Sequence, residues 1–245
     1  LWRVASAQLE ARRSSGLVVC GMGGSAIGGE LARGLLGDRH TGPLGAVRAY
    51  TLPGRVHHEW AVLASSHAGD TEETLASFKI AGDVGTHRWV AGTGGKLGEQ
   101  ARDADVGIVG LPGLFQPRVT VAYMTVVATA TAYLAGIAPD VSSEIENAAA
   151  YVENSRDSLQ DLAIQLAEQI LDTPVVVHGA DLTVPVARRW ANQFNENAKQ
   201  LAFSAEIPEA NHNLMEAWAK GAGGLGAIFL EDIGQTPRER RRMEL

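Results

Sequence analysis

The sequence predicts an α/β protein built from two doubly wound parallel-sheet domains, the second of which is incomplete. In the first half of the chain, five short apolar runs alternate with helix-length patterns. Strands that are separated by helices form parallel sheets with helices on both faces. After Pro174 a second and shorter series of strands and helices begins. The composition, 45% hydrophobic and 20% charged over 245 residues, supplies enough apolar material for such cores.

The first predicted domain covers residues 1–139. We expect its strands to be buried on both faces because they are short apolar runs. These strands cover residues 17–20, 47–51, 60–65, 88–91 and 106–110. The helical patterns cover residues 25–36, 72–81, 96–103 and 119–138. The last helix is uncharged over twenty residues, the length of a bilayer span, but its Ala and Thr content favours burial in the core or in a dimer interface.

Connecting helices over residues 140–173 and a second domain over residues 174–245 complete the predicted organisation. Ser143 and Glu146 match a capping box, which predicts a helix that continues through residues 154–171. The pattern beyond it predicts a strand at 175–178, a helix at 183–201 and a strand at 227–230. Because two strands are too few for an independent sheet, we expect the natural protein to continue beyond Leu245.

The charge and the cysteine count argue against several classes of function. The formal net charge is −7 and the basic run is confined to residues 238–242, which argues against a nucleic-acid surface. Cys20 is the only cysteine, which excludes an internal disulfide framework and a cysteine-based zinc site. The adjacent His57 and His58 are poorly spaced for one metal ion, and we predict no metal site and no cofactor. Residues 1–13 lack the apolar core of a signal peptide, so we expect a cytoplasmic protein.

Two turns have the composition of anion-binding sites. Residues 21–29 (GMGGSAIGG) follow the first predicted strand and open a helix, whose first N–H groups can bind an anion. A second turn, residues 65–74, follows the third predicted strand and again places hydroxyl groups at a helix start. The candidate phosphate-binding residues are Gly23, Gly24, Ser25, Ser66 and Thr71. The alternative for the second turn is helix capping by Asp70 and Thr71 without a ligand.

Nucleotide-binding motifs fit the chain less well. The first turn matches a degenerate dinucleotide fingerprint, Gly21-x-Gly23-x-x-Ala26, but that fingerprint needs an acid at the end of the next strand. The sequence there is Tyr-Thr-Leu-Pro, at residues 50–53. Residues 92–97 (GTGGKL) resemble a P-loop but have Leu97 where Ser or Thr is required.

Three further residues are candidates for acid–base chemistry. Glu196 lies between Asn195 and Asn197, and neighbouring amides can orient a carboxylate that acts as a general base without neutralising it. His212 also lies between two asparagines, and imidazoles exchange protons near neutral pH. Arg118, in the sequence Gln-Pro-Arg at the start of the long helix, can neutralise charge on a substrate oxygen. The alternatives are an ordinary polar helix, a capped loop histidine and a surface arginine.

With these motifs, the chain resembles the sugar isomerase (SIS) superfamily, and more closely the bifunctional phosphoglucose/phosphomannose isomerases of archaea and bacteria. The most specific match is the pair NENAK and PEANHN, at residues 195–199 and 208–213. Residues 21–30, 66–74 and 116–118 also match. The resemblance implies two SIS-type domains, each a flavodoxin-like αβα sandwich, in a homodimer with active sites at the subunit interface. It also implies metal-free interconversion of glucose 6-phosphate or mannose 6-phosphate with fructose 6-phosphate through a cis-enediol.

The resemblance also implies a role for each candidate residue. Glu196 would move the proton between C1 and C2, and His212, reaching in from the partner subunit, would assist ring opening. Arg118 would stabilise the enediolate. The hydroxyl groups of Ser25, Ser66 and Thr71 would hold the phosphate.

One turn departs from the family pattern, which reads Ser-Tyr-Ser-Gly-Asn-Thr where this chain has Ser-His-Ala-Gly-Asp-Thr at residues 66–71. Ala68 removes a hydroxyl whose bond to a charged group would contribute about 1.5–3 kcal/mol. Asp70 places a carboxylate near a phosphate dianion, which His67 would partly offset if it were protonated. Two other functions therefore stay open: an isomerase of a different phosphosugar, and a non-catalytic SIS regulator that binds sugar phosphates. The retained Glu196 and His212 argue against the regulator.

Overall fold

The computed structural model describes residues 1–221 and 223–244. Its residue contacts divide the chain into two compact units, Leu1–Val141 and Ser142–Leu245. The first unit contains a five-stranded sheet and the second a three-stranded sheet, and all strand pairs in both are parallel. The predicted α/β class is therefore confirmed. Across the described ranges, no helix is both long and apolar enough to cross a bilayer.

The first unit is a doubly wound sheet with strand order β2-β1-β3-β4-β5. Its strands are β1 (Leu17–Cys20), β2 (Leu44–Val47), β3 (Ala61–Ser65), β4 (His87–Gly92) and β5 (Gly107–Gly110). Its helices are α1 (Trp2–Gln8), α2 (Gly23–Leu36), α3 (Glu72–Val84), α4 (Gly95–Asp103) and α5 (Val121–Leu134). From β1 the chain moves to one side of the sheet for β2 and to the other side for β3. The switch point therefore lies between β1 and β3, where open α/β sheets bind their ligands.

Two predicted boundaries in this unit are wrong. The second strand covers Leu44–Val47 rather than residues 47–51, because it pairs along the four residues of β1, from Leu17 with Leu44 to Cys20 with Val47. The last helix covers Val121–Leu134 rather than 119–138. A 3-10 turn, Pro117–Val119, precedes it, and Gly136 adopts a positive φ of 70° just after it.

Close packing holds α2 against α5. A Cβ atom on Gly28 would lie 2.6 Å from Cβ of Met124 on α5, so α2 and α5 approach each other more closely than any larger residue permits. The hydroxyl of Ser65, at the end of β3, bonds to the sulfur of Met124 at 3.1 Å. Together these contacts hold α2, α5 and the end of β3 in one buried cluster.

The second unit contains three strands in the order β7-β6-β8. They are β6 (Val175–Ala180), β7 (Ala202–Ile207) and β8 (Gly226–Leu230). The helices are α6 (Ser142–Asn154), α7 (Arg156–Ile170), α8 (Val184–Gln193), α9 (Leu214–Ala219) and α10 (Pro237–Met243). The apolar face of α8 packs on β6 and β7 through Ala187 and Ala191, which are buried against Val175, Val177 and Ala202.

Three predictions in this unit need correction. The helix predicted over 183–201 ends at Gln193, and β7, which the sequence analysis missed, begins nine residues later. The helix predicted through 154–171 is interrupted at Ser155. Ser143 is the second residue of α6 rather than its N-cap, so the predicted capping box is wrong.

Candidate functional site

The turn after β1 brings the start of α2 against the end of β3. A Cβ atom on Gly21 would lie 2.7 Å from the carbonyl oxygen of Ser65, so a larger residue would push the two strand ends apart. Helix α2 begins at Gly23, and no side chain caps it, since Met22 at the N-cap makes no capping bond. Ser25 is 91% buried in the first turn of the helix. A bound anion can therefore take the place of a capping side chain here.

The turn after β3 is braced by its own side chains. The hydroxyl groups of Ser66 and Thr71 share a hydrogen bond of 2.9 Å, and the N–H of Gly69 donates to Ser66 Oγ at 3.1 Å. Gly69 has a φ of 85°, and a Cβ atom there would overlap the carbonyl oxygen of Gly94. This turn is therefore held in one conformation, with both predicted hydroxyl groups on the same side.

Asp70 does not cap the helix that follows it. Its Oδ1 accepts the backbone N–H of Lys96 at 3.1 Å, at the start of α4. Thr71 is the N-cap residue of α3 but makes no capping hydrogen bond with its side chain. The alternative in which Asp70 and Thr71 cap the helix that follows them is thus wrong. The carboxylate instead binds the positive end of the helix after the next strand.

His67 connects this turn to the segment that carries Arg118. Its ring is 93% buried, and Nε2 lies 3.2 Å from the carbonyl oxygen of Pro112. The carbonyl oxygen of His67 accepts two bonds from Thr93, from the N–H at 2.8 Å and from the hydroxyl at 2.7 Å. The half-buried Arg118 lies in the 3-10 turn Pro117–Val119, which contacts α2. The structure thus brings both turns and the arginine segment to one region of the first unit.

Glu196 lies in the second unit, in a π-helical turn, Phe194–Ala198, that joins α8 to β7. The side chain of Asn195 forms two bonds with the backbone of Ala202, at 2.9 and 3.0 Å, and so fixes the turn to the start of β7. Lys199 Nζ donates to the backbone carbonyl of Glu196 at 2.7 Å. The flanking polar groups therefore hold the backbone around Glu196, and the Glu196 side chain itself is exposed.

Arg189 is a charged residue near Glu196 that the sequence analysis missed. It is 94% buried on α8. Burial lowers the pKa of its guanidinium, and the negative charge of Glu196 opposes that change. The spacing of the two residues could have identified Arg189. It precedes Glu196 by seven residues, and residues seven apart lie on the same side of a continuous helix.

His212 lies at the other end of β7. It is an exposed residue in the 3-10 turn Glu209–His212. Asn213 Oδ1 accepts the N–H of Leu214 at 2.7 Å, and Asn211 Nδ2 donates to the carbonyl of Arg242 at 3.2 Å. Asn195 fixes the turn that carries Glu196 to the first residue of β7, whereas His212 lies in the turn after the last residue of the strand. Six strand residues separate the two ends by about 16 Å, so Glu196 and His212 lie near opposite ends of β7.

The comparisons with known proteins agree with these motifs. A family profile described as "Bacterial phospho-glucose isomerase C-terminal SIS domain" matches residues 159–245. A bifunctional phosphoglucose/phosphomannose isomerase from Caldicellulosiruptor bescii is 30% identical over 251 residues, covering 98% of this chain and 74% of the relative. The chain belongs to this isomerase family. The resemblance inferred from the motifs is therefore confirmed.

Two further relatives and one solved structure extend the comparison. The bifunctional isomerase of Aquifex aeolicus is 35% identical over 205 residues. The match covers 83% of this chain and 62% of the Aquifex protein. A D-glucosamine-6-phosphate 4-epimerase from Sulfolobus acidocaldarius is 31% identical over 207 residues, covering 83% of the chain and 64% of the relative. The C-terminal domain of glucosamine-fructose-6-phosphate aminotransferase from Francisella tularensis superposes with a TM-score of 0.72 at 14% identity, over 99% of this chain and 75% of that domain. The superposition shows that the SIS-type fold is shared.

Proposed function

We propose that this protein is an aldose–ketose isomerase that interconverts glucose 6-phosphate or mannose 6-phosphate with fructose 6-phosphate. The observation that carries the proposal is the pair of hydroxyl-bearing turns at the switch point of the first unit, in a chain that also has the NENAK and PEANHN segments of its family. We further propose that it works in the cytoplasm, where phosphorylated hexoses are made and used.

The proposed phosphate site combines backbone and hydroxyl donors. The N–H groups at Gly23 and Gly24 and the hydroxyl of Ser25 lie at the uncapped start of α2. Ser66 already accepts a hydrogen bond from Gly69, so when Thr71 also donates to it, the Ser66 proton is directed to a ligand. The family pattern has an uncharged amide where this chain has the Asp70 carboxylate. The bond that Asp70 accepts from the N–H of Lys96 offsets part of this additional negative charge.

The proposed reaction needs only proton transfers. Glu196 removes the proton from C2 of the open-chain aldose, which leaves a cis-enediol, and returns it to C1. A proton moves from O2 to O1 in the same step, so C2 becomes the carbonyl carbon and no external oxidant is consumed. Arg118 stabilises negative charge on the enediolate oxygens, and His212 assists ring opening by transferring a proton to the ring oxygen.

Two observations support a homodimer with shared active sites. The first is the separation of Glu196 and His212 along β7, which favours a His212 that is supplied by the partner subunit. The second is the surface of α6 and α7, neither of which has a buried residue. Apolar side chains are exposed along both helices: Tyr151 (71%), Val152, Leu159, Leu162 and Ile164. An apolar surface of this kind is typical of a subunit interface.

The test follows fructose 6-phosphate by NMR as it is converted to the two aldose phosphates. We expect Glu196→Gln to lower kcat by at least about a hundredfold, the lower range for general-base catalysis. Glu206→Gln, which removes another exposed carboxylate, on β7, should retain activity. If both variants are as active as the unchanged protein, the proposed role of Glu196 is wrong.

A different phosphosugar is the second candidate substrate. Ala68 removes one hydroxyl donor from the phosphate turn, and a relative of similar identity is named as a D-glucosamine-6-phosphate 4-epimerase. Glucosamine 6-phosphate and its 4-epimer should therefore be assayed beside the hexose phosphates. A regulator without catalytic function would bind sugar phosphates equally well in the Glu196→Gln variant and convert none of them.

A further inference from the structure

A second candidate site lies at the edge of the first sheet opposite the phosphate-binding turns. A cavity of about 390 Å³ is lined by residues 12–15, residues 58–60 and His87, and we call it the amino-edge cavity. These residues lie just before or at the start of β1, β3 and β4, whereas the turns follow the ends of β1 and β3. The five residues of β3 separate the two edges by about 15 Å. The cavity is thus distinct from the proposed substrate site.

The lining of the amino-edge cavity is basic in a chain that is acidic overall. It contains Arg12, Arg13, His58 and His87, against the single acid Glu59, whereas the whole chain has a net charge of −7. The Glu59 carboxylate lies 3.8 Å from Nδ1 of His57, a residue outside the lining. A neighbouring cavity that shares Arg12 and His87 also contains Glu10 and Asp105, so the excess of basic groups belongs to the amino-edge cavity.

The two arginines are exposed, and neither guanidinium group caps the end of α5. Backbone N–H groups, rather than guanidinium groups, bind the carbonyl oxygens at the end of α5. The backbone N–H of Arg12 donates to Leu134 at 3.0 Å, and that of Ser14 donates to Ala135 at 2.9 Å. Over the described parts of the chain, neither guanidinium forms an ion pair or a hydrogen bond. Burial lowers the pKa of His87 and the charge of Arg12 lowers it further, while Glu10 raises it. Arg12 and His87 are thus close enough to disfavour each other's charge, and a bound anion would relieve this.

We propose that the amino-edge cavity binds a small phosphate monoester. Two guanidinium groups that line one cavity can supply the positive charge and the N–H donors that a phosphate dianion binds. The volume is within the range of small-molecule sites, and the ring of Trp60, 95% buried, offers an apolar wall for the rest of such a molecule. The inference does not rest on the proposed isomerase activity.

Calorimetric titration with inorganic phosphate and with glycerol 3-phosphate tests this proposal, and the Trp60 indole N–H signal reports on the cavity by NMR. The Ser66→Ala/Thr71→Ala background weakens the turn site and leaves the cavity unchanged. In that background we expect saturable binding that shifts the Trp60 signal. Adding Arg12→Gln and Arg13→Gln should weaken the affinity for the phosphate compound at least about tenfold, because both guanidinium contacts are lost.

The matched control carries Lys79→Gln and Arg102→Gln, which remove two exposed positive charges elsewhere in the first unit. It should bind within about twofold of the background, since exposed charges at a distance are screened. Arg12→Lys/Arg13→Lys, which keeps the charge, should show an intermediate loss. If the background is poorly folded, titration of the otherwise unchanged protein decides, and saturable binding should again shift the Trp60 signal. No saturable binding, an unmoved Trp60 signal, or equal weakening by the control would overturn the proposal.

Discussion

The carboxylate of Asp70 binds the start of α4 through the backbone N–H of Lys96, and this contact alters what the residue does to the phosphate turn. Position 70 is an amide in the family pattern, and an amide oxygen can accept the same bond. The negative charge is partly compensated by the positive end of α4. The change at Ala68 has no such compensation, since it removes a donor. Ala68 is therefore the substitution that most affects the expected substrate affinity.

His67 is a residue whose position suggests a test of how the turn and the arginine segment are joined. His67→Phe keeps the volume but loses the bond from Nε2 to the carbonyl of Pro112. The loss of such a bond costs about 0.5–1.5 kcal/mol, so we expect kcat/KM for fructose 6-phosphate to fall about three- to tenfold. His67→Gln keeps a donor near the position of Nε2 and should recover most of the loss. Equal kinetics for all three proteins would show that the bond does not position the site.

His178 predicts a pH dependence of stability in the second unit. Its ring is 97% buried on β6 and stacks on Phe229 at 4.7 Å, and neither ring nitrogen has a hydrogen-bond partner among the described residues. Burial lowers the pKa of His178 below 6.5 in the folded state. Below that pH the unfolded chain binds more protons than the folded one, so the free energy of unfolding falls as the pH falls.

The measurement is the midpoint of thermal unfolding at pH 7.5 and at pH 5. His178→Phe should lose less stability between these two values than the unchanged protein, because the titrating group has been removed. His58→Gln removes an exposed histidine and should leave the acid sensitivity unchanged. The same acid-induced loss in all three proteins would contradict the assignment to His178.

At the scale of elements, the close contact of α2 with α5 links the phosphate turn to Arg118. Gly28→Ala places a Cβ atom against Met124, whose backbone would have to move, and we expect a loss of about 1–3 kcal/mol in the free energy of unfolding. Because α5 follows the arginine turn, catalytic efficiency should fall as well. Gly98→Ala on α4 meets only the end of the Arg102 side chain at 3.4 Å. That control should be neutral or stabilise the protein by up to about 1 kcal/mol in urea unfolding. If both substitutions have the same effect, the packing argument fails.

The sequence predicts correctly those helices and strands whose position depends on the local residue pattern alone. Strands β1 and β3 are continuous apolar runs, and the glycine turn after β1 identifies the start of α2. Strand β7 was missed because Ser204 and Glu206 interrupt its apolar residues, and because the polar residues before it continue the pattern of α8. The end of α8 depends on the bonds between Asn195 and Ala202, which only the folded chain reveals.

At the scale of the whole molecule, the distance between Glu196 and His212 follows from β7 and was therefore not predictable without that strand. Both residues were identified from their amide-flanked motifs, but the motifs do not show that a strand separates them. The separation gives physical support to an active site that is shared between two subunits. A test of this arrangement does not require a structure of the dimer.

Subunit complementation tests the shared site. Glu196→Gln and His212→Gln should each be inactive alone. When the two proteins are mixed and allowed to exchange subunits, hybrid dimers contain one site with both native residues, and about a quarter of the activity should return. No recovery after verified exchange would show that Glu196 and His212 act from the same subunit.

The surface of α6 and α7 gives an independent test of assembly. Leu159→Asp/Leu162→Asp introduces charges into the exposed apolar surface and should shift the protein from dimer to monomer in sedimentation velocity. Gln160→Glu adds a charge on the same helix at a polar position and should leave the dimer intact. A chain that is monomeric without substitution would contradict this assignment.

The central claim, proton transfer between C1 and C2 by Glu196, is tested most directly by isotope exchange. Fructose 6-phosphate is incubated in deuterated water with the unchanged protein and with Glu196→Gln, and the aldose phosphates are analysed by NMR. We predict deuterium at C2 of both glucose 6-phosphate and mannose 6-phosphate, and its loss in the variant. A folded protein that binds fructose 6-phosphate saturably but incorporates no deuterium at C2 would contradict the claim.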